Sequence, residues 1–402
     1  MRSGGADFAF RQCELLAERG VDVHVITSRS NEVARPGRFQ VSALVRDWSW
    51  RDLRQIVRIA RRFRPDVVQI HFAGGLYKHQ AMVTFLPSIL KRWVRVPRVV
   101  LHVEYPHPIA YAPQTILGRA AHKLASVYRW HRKLEAGYAT LLRESDVVFV
   151  LCEPHRALLE QHEPGMKRKC VIMGSPPAIT FYEGGAADAR AQSRAELGLA
   201  PDERLLVYYG YLYPDKGLET LLEAFQLLVQ ANGHAHLLIL GGPNEMILPG
   251  EEGHRYAEEL KERAERLGLG ERIIWTGYFP KESDRPSRFL YAADMCVLPF
   301  YDGLLMHRST FGVAAAHGLP IVSTRGAVVE NVFVDGANVL LCAPRDPNAL
   351  AATIQRLMGD PALQEQLGRG AKKLADEHLS WERCIEQTLQ AFAGTSEINR
   401  FR

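Results

Sequence analysis

No window of the 402-residue chain approaches the ~18–20 unbroken apolar residues that a membrane-spanning helix needs. The opening MRSGGADFAF has no apolar h-region and does not read as a secretory signal. Cysteine is sparse and unpatterned. Cys13, Cys152, Cys170, Cys296, Cys342 and Cys384 show no CxxC or CxxH spacing, so a structural zinc site is not expected. Four of them lie in or beside apolar runs and read as small core residues in a reducing compartment. No Asp-x-Asp pair marks a metal site, and no metal or other cofactor is expected. No nucleic-acid-binding motif accompanies the basic charge, so nucleic acid is not an expected partner.

What is present is ordinary in bulk and uneven in distribution. Hydrophobic residues make up 47% and charged residues 24%, as in soluble globular proteins. The length exceeds one ordinary core, so two domains are the default. The net charge of +5 hides an asymmetry. Residues 1–180 hold 28 Lys and Arg against 15 Asp and Glu, whereas residues 181–402 hold 22 against 30. Three basic stretches with aromatics fall in the first half: Arg51–Arg64, Lys91–Arg98 and Lys123–Lys133. Such helices suit an anionic membrane surface, the alternative being a solvated basic face. A cytoplasmic location, peripheral at the inner membrane face, is the matching expectation.

Hydrophobic patterning alternates helices with strands at Val21–Thr27, Asp66–His71, Val99–Val103, Asp146–Leu151 and Val171–Met173. Gly174–Arg194 is rich in Pro, Gly, Ala and polar residues and reads as a linker. The alternation then restarts with strands at Leu205–Tyr209, Leu237–Leu240, Ile273–Trp275, Met295–Leu298, Ile321–Thr324 and Asn338–Leu341. Alternation of this kind predicts parallel βαβ units, here an α/β chain of two doubly wound domains with a cleft between them. The expected boundaries are 1–175 and 176–379, with a last helix from 380 packing back on the first domain. A doubly wound domain feeds its first glycine turn from a central strand. Here Ser3-Gly4-Gly5 stands almost at Met1, which leads us to expect that strand upstream of it.

The block from Met295 to Gly336 is the most informative. A strand ends at Pro299, a loop carries Asp302, Gly303, His307 and Arg308, and a helix through Thr310–His317 is stopped by Gly318-Leu319-Pro320. That unit places a helix N-terminus at the carboxyl edge of a parallel sheet, where unpaired N–H groups and the helix dipole attract anions. Arg308, Ser309 and Thr310 are therefore expected to meet a phosphate.

Several segments in order resemble the group 1 retaining glycosyltransferases: LAERGVDVHVIT, PDVVQIH, SDVVFVLCE, YYGYLYPDKGLETLLEAF, AADMCVLPF, HGLPIVST and LSWERCIEQTLQAF. The resemblance runs from Ser3 to about Phe392. It implies a GT-B fold of two Rossmann-like domains, a nucleotide-sugar donor on the second and a saccharide or lipid-linked acceptor on the first. The family turn G-R-x-x-x-x-K-G falls on Gly210–Gly217, with Lys216 in place and Tyr211 where Arg is expected. The paired glutamates of the family's E-x7-E pattern fall on Leu305 and Val313 and are lost. Arg308 lies near enough to replace the missing guanidinium. The resemblance puts His102 at the catalytic position after its strand, His71 on the cleft wall, and Gly4 and Gly5 at a phosphate or acceptor loop. It puts Gly241 and Gly242 against the donor base, and Glu330 on the ribose or capping its own turn. Glu104 and His107 read as surface-loop residues near the acceptor. A sugar-nucleotide-binding or partner-binding descendant without catalysis, or a sugar-nucleotide epimerase on the same fold, would carry the same frame.

Overall fold

A computed structural model describes residues 4–29, 38–73, 77, 80, 82–104, 106, 136–200, 202–232, 234–243, 251–280 and 282–394. The chain forms two compact units. One combines the chain up to Gly174 with the segment from Trp381 onward, and the other is Ser175–Ser380.

The first unit opens with helix Gly4–Glu18, followed by strands β1 (His24–Ser28) and β2 (Gln40–Val45), a parallel pair. Its main sheet contains β3 (Val67–Phe72), β4 (Arg98–Val103), β5 (Val147–Val150) and β6 (Cys170–Ile172), all parallel in that spatial order. Among the described residues β1 and β3 are not paired with each other. Strands β4 and β5 read as near-continuous apolar runs because both sheet faces are covered. Val99, Leu101 and Val103 join one buried cluster. Val100, Val147 and Phe149 join another, completed by Cys384 and Ala391 of helix Trp381–Ala393.

Helix Leu53–Phe63 buries Leu53, Ile56, Val57 and Ala60 and turns its arginines outward. It ends at Arg64, whose φ of 53° is left-handed. Helix Met82–Ile89 tolerates Pro87 and runs on into a π-helical turn, Leu90–Val94.

The second unit has one six-stranded parallel sheet. Its strands are β7 (Arg204–Tyr209), β8 (Ala235–Leu240), β9 (Ile273–Trp275), β10 (Met295–Leu298), β11 (Ile321–Thr324) and β12 (Leu340–Cys342). Their spatial order is β12-β11-β10-β7-β8-β9, so the order reverses between β7 and β10. Doubly wound sheets bind ligands at the carboxyl side of such a switch point.

Two expectations are corrected here. The stretch read as a linker to Arg194 contains helix Ala186–Glu196. Its small and polar residues gave no apolar stripe, because guanidinium contacts do much of the anchoring. Arg190 donates to the carbonyls of Ala292 and Ala293 and pairs with Asp294 at 2.6 Å. Arg194, buried in the same helix, donates to the carbonyls of Ala200 and Glu203. The first strand begins at His24 rather than Val21, because Val21 still donates back to Leu16 in the helix-ending turn. None of the six cysteines is joined in a disulfide, and five of them are buried. No helix among the described residues is long and apolar enough to cross a membrane.

Candidate active site

The loops after β7 and β10 meet at the switch point of the second unit. Glycine makes the meeting possible. Gly217 has φ 73° and lies against the Pro299 carbonyl, closer than any Cβ would permit. Gly210 (φ 143°) faces the Thr310 methyl at 2.8 Å from where its Cβ would stand, and Gly241 (φ 150°) abuts the Gly210 carbonyl. The turn carrying Lys216 is thus seated directly on the loop that carries Arg308.

Both cations settle on one aromatic ring. Lys216 is only 6% exposed, with Nζ 4.9 Å from the Phe300 centroid and 5.0 Å from that of Tyr213. The Arg308 guanidinium lies 4.6 Å from the same Phe300 ring and pairs with Asp302. Burial, and secondarily the charge of Arg308, push Lys216 down to about 7. Arg308 Nε and Thr310 Oγ1 are buried without a partner among the described residues. Two clustered cations beside unsatisfied polar atoms constitute an anion-binding arrangement. Helix Ser309–Ala316 starts at the same place, its first turn adding backbone N–H groups, with Ser309 exposed there.

The remaining expected residues of this unit divide. Gly242 lies against the backbone of Tyr278. Glu330 is buried and accepts the Met306 N–H at 2.6 Å, which pins the loop preceding Arg308. Tyr211 is exposed, and its carbonyl accepts from the Tyr208 hydroxyl at 2.8 Å. Val313 is core, and its carbonyl meets His317 Nδ1 at 2.8 Å. Phe300, the platform shared by both cations, was not singled out in the sequence. Its place immediately after Pro299 is the only hint there.

In the first unit, His71 and His102 are register partners on β3 and β4, with rings 5.1 Å apart and stacked. His102 is 2% exposed, and Phe8 packs edge-on to it at 4.9 Å. Burial pushes His71 down to about 4 and His102 well below the usual imidazole value, so both are neutral at pH 7. Gly4 opens the first helix, and Gly5 lies against the Glu104 carboxylate so closely that a Cβ would collide with it. Glu104 is therefore not the surface-loop residue its sequence context suggests. It is partly buried, and burial raises its carboxyl. The sequence hid this because a carboxylate just past an apolar strand reads as solvent-facing. His107 and the basic stretch Lys123–Lys133 lie outside the described residues.

A family model described as "Glycosyl transferases group 1" matches residues 189–374, and one described as "Glycosyl transferase 4-like domain" matches residues 3–174. The chain belongs to the group 1 glycosyltransferases. A curated relative, the D-inositol 3-phosphate glycosyltransferase of Thermomonospora curvata, is 29% identical over 221 residues, 53% of this chain and 47% of that protein. The chain spans about half the length of the curated relatives it matches. Among solved structures, a glycosyltransferase from Rickettsia africae superposes with TM-score 0.73 at 12% identity, covering 100% of this chain and 97% of that one. Anabaena HepE in complex with UDP and glucose superposes with TM-score 0.69 at 15% identity, covering 98% and 96%. These likenesses show the GT-B fold. As a group 1 glycosyltransferase the chain keeps Lys216 on its turn but carries Tyr211, Leu305 and Val313 where the family resemblance leads one to expect Arg and two glutamates.

Proposed function

We propose that this chain moves a sugar from a nucleotide-diphosphate donor to a saccharide or lipid-linked acceptor, with retention of configuration, in polysaccharide or glycolipid assembly. The observation that carries the reading is the pair Lys216 and Arg308 at the switch point of the second unit, held on Phe300 beside a helix N-terminus. Arg308 sits where it can supply the guanidinium that Tyr211 does not. Charge developing on a leaving diphosphate would meet two cations and backbone N–H groups already in place, which is the largest single catalytic lever for such a reaction. The binding of UDP and glucose by HepE supports the donor class. His102, buried and neutral, would contact the transferred sugar or the attacking hydroxyl.

Purified full-length protein incubated with a panel of UDP-, GDP- and ADP-sugars should hydrolyse or transfer one of them, and Lys216→Ala and His102→Ala should each abolish the activity. Nucleotide-sugar binding without turnover in the wild type would instead favour a non-catalytic sugar-nucleotide binder, a reading motivated by Leu305 and Val313.

The basic first unit also offers a surface for an anionic membrane at the cytoplasmic face. Trp50, Phe85 and Trp93 are 53%, 40% and 51% exposed, and the Trp50 and Phe85 rings lie 5.8 Å apart. Arg61 donates to the Trp93 carbonyl, joining the two basic segments, and Arg54, Arg58, Arg62, Arg92 and Arg95 are exposed around them. Aromatic bodies flanked by guanidinium groups are the side-chain set that anchors at a lipid headgroup layer.

A further inference from the structure

The acceptor-side cluster of the first unit contains a hydrogen-bond relay that fixes the proton on one of its histidines. The Thr388 hydroxyl donates to the Cys384 carbonyl at 2.8 Å, so its oxygen is left to accept from Gln12 Nε2 at 2.9 Å. That orients the Gln12 amide, whose Oε1 then accepts from Gln69 Nε2 at 2.8 Å. The same Gln69 nitrogen lies 2.9 Å from His71 Nε2. An amide nitrogen can only donate, so His71 Nε2 is the acceptor and the imidazole proton resides on Nδ1. Gln12 and Thr388 are fully buried, which shields the relay from water.

The relay therefore ends on a donor, His71 Nδ1, that has no acceptor among the described residues. His71 Nδ1, His102 Nδ1 and Glu104 Oε1 are all buried and without a hydrogen-bond partner among the described residues. Buried polar atoms left without partners are destabilising, so three together at adjacent strand ends need an explanation. They lie at the carboxyl ends of β3 and β4, beside the start of helix Gly4–Glu18, where Gly5 leaves space only for the Glu104 carboxylate. Burial is the main influence on all three groups, with His71 adding to it at His102. The helix N-terminus, which elsewhere in such folds invites phosphate, faces a carboxylate of the chain itself.

We propose that the His71–His102–Glu104 cluster seats an uncharged, hydroxyl-rich acceptor group, with His71 Nδ1–H as a fixed donor and Glu104 as the hydroxyl's acceptor, and that it rejects phosphorylated groups. This rests on the glycosyltransferase reading for the word acceptor, but not for the binding chemistry. A sugar or cyclitol ring offers hydroxyls that both accept and donate, which matches one N–H and one carboxyl oxygen. A phosphate there would be repelled by the ionised Glu104 carboxylate that Gly5 packs against. His71 is a positioning and specificity residue in this scheme, and the relay is what keeps it a donor.

The test uses full-length protein labelled with ¹⁵N-histidine. Long-range ¹H–¹⁵N spectra should show His71 protonated at Nδ1 in the free protein. Gln69→Met should release it to a tautomer mixture without unfolding the chain. A wild-type His71 protonated at Nε2 would overturn the relay. Titrations with myo-inositol and methyl α-D-glucopyranoside should move the His71 and His102 ring signals. Inositol 1-phosphate and glucose 6-phosphate should bind at least tenfold more weakly, and Glu104→Gln should narrow that gap. His71→Asn, which keeps an N–H near the Nδ1 position, should retain neutral-sugar binding within about threefold, whereas His71→Ala should lose at least tenfold. Tighter binding of the phosphorylated probes sinks the proposal. So does a protein that binds UDP yet neither neutral probe, which would leave the donor reading intact. Binding of neutral probes by a protein that binds no nucleotide would do the reverse.

Discussion

Two clusters occupy corresponding places in the two units, each at the carboxyl ends of neighbouring parallel strands, and they have opposite chemistry. In the second unit Lys216 and Arg308 crowd onto Phe300 with Asp302 as the paired carboxylate. In the first, two stacked neutral imidazoles and a partly buried carboxyl stand in the same position, shifted chiefly by burial. The sheet edge supplies location in both cases, and the side chains decide what can be held there. The contrast runs against bulk composition, since the unit with the acidic balance holds the cationic site. Local burial of a few charges therefore sets the chemistry of each cluster, whatever the overall sign of its unit.

The sharpest way to break the comparison is to remove the buried ammonium. Lys216→Met should lower donor turnover by ~100-fold or more, measured as release of nucleoside diphosphate. The same change should raise the midpoint of thermal unfolding of the ligand-free protein at pH 7. Burial holds Lys216 at about 7 when folded, far below its value of 10.5 unfolded. Stability linked to it is thus greatest above pH 10.5 and is lost as pH falls towards 7. Unchanged turnover would show that Lys216 does not meet the donor.

A step smaller, Arg308→Ala should weaken nucleoside-diphosphate binding about tenfold, equivalent to ~1.4 kcal/mol. Asp302→Ala should strengthen it several-fold, because the guanidinium no longer has an internal partner to leave. Asp302 is largely exposed, so its own contribution to stability is small. Calorimetric titration with UDP, GDP and ADP would read both, and the same sign for the two variants would refute the arrangement.

Acid should separate the units next. His71 and His317 are held at about 4, and His102 is also well below 6.5, in each case chiefly by burial. A histidine depressed on folding contributes stability that is complete above pH 6.5 and is lost as pH falls from there towards the folded value. The first unit has two such groups in contact, against His317 in the second. Hydrogen exchange at pH 5 should therefore rise in β3 and β4 before it rises in β10 and β11. Equal protection in both units at that pH would remove this distinction. The smallest effect concerns the surface. Trp50→Ala with Trp93→Ala should reduce co-sedimentation with phosphatidylglycerol vesicles several-fold without altering UDP affinity, and pure phosphatidylcholine vesicles should bind neither form strongly.

Most strands were legible because buried parallel strands are short apolar runs between turn residues, as in Val99–Val103 and Met295–Leu298. Less legible was β2, Gln40–Val45, whose QVSALV mixes polar and apolar residues at a partly exposed position. Helix Met82–Ile89 was hidden by Pro87 and by its lack of a polar face. At the candidate sites, Lys216 and Arg308 could be singled out because a glycine turn and a strand–loop–helix unit frame them. The relay could not. Gln12 and Gln69 look like solvent-facing residues in a helix and a strand, and only the fold brings them to each other and to Thr388, 376 positions along from Gln12. Glu104 was misread for a similar reason, since nothing local indicates that Gly5 closes over it.

The return of helix Trp381–Ala393 to the first unit has a consequence for biosynthesis. Val100, Phe149 and Met173 pack against Cys384 and Ala391 in one buried cluster, and the relay begins at Thr388. A nascent chain cannot cover that face of the first sheet until helix Trp381–Ala393 has left the ribosome, by which time all of Ser175–Ser380 has already emerged. The second unit is contiguous and can fold as soon as it is released, whereas the first must wait with an apolar face open. A ribosome-arrested chain ending near residue 380 should therefore be a good chaperone client, and a stop codon before Trp381 should damage the first unit more than the one that the stop adjoins.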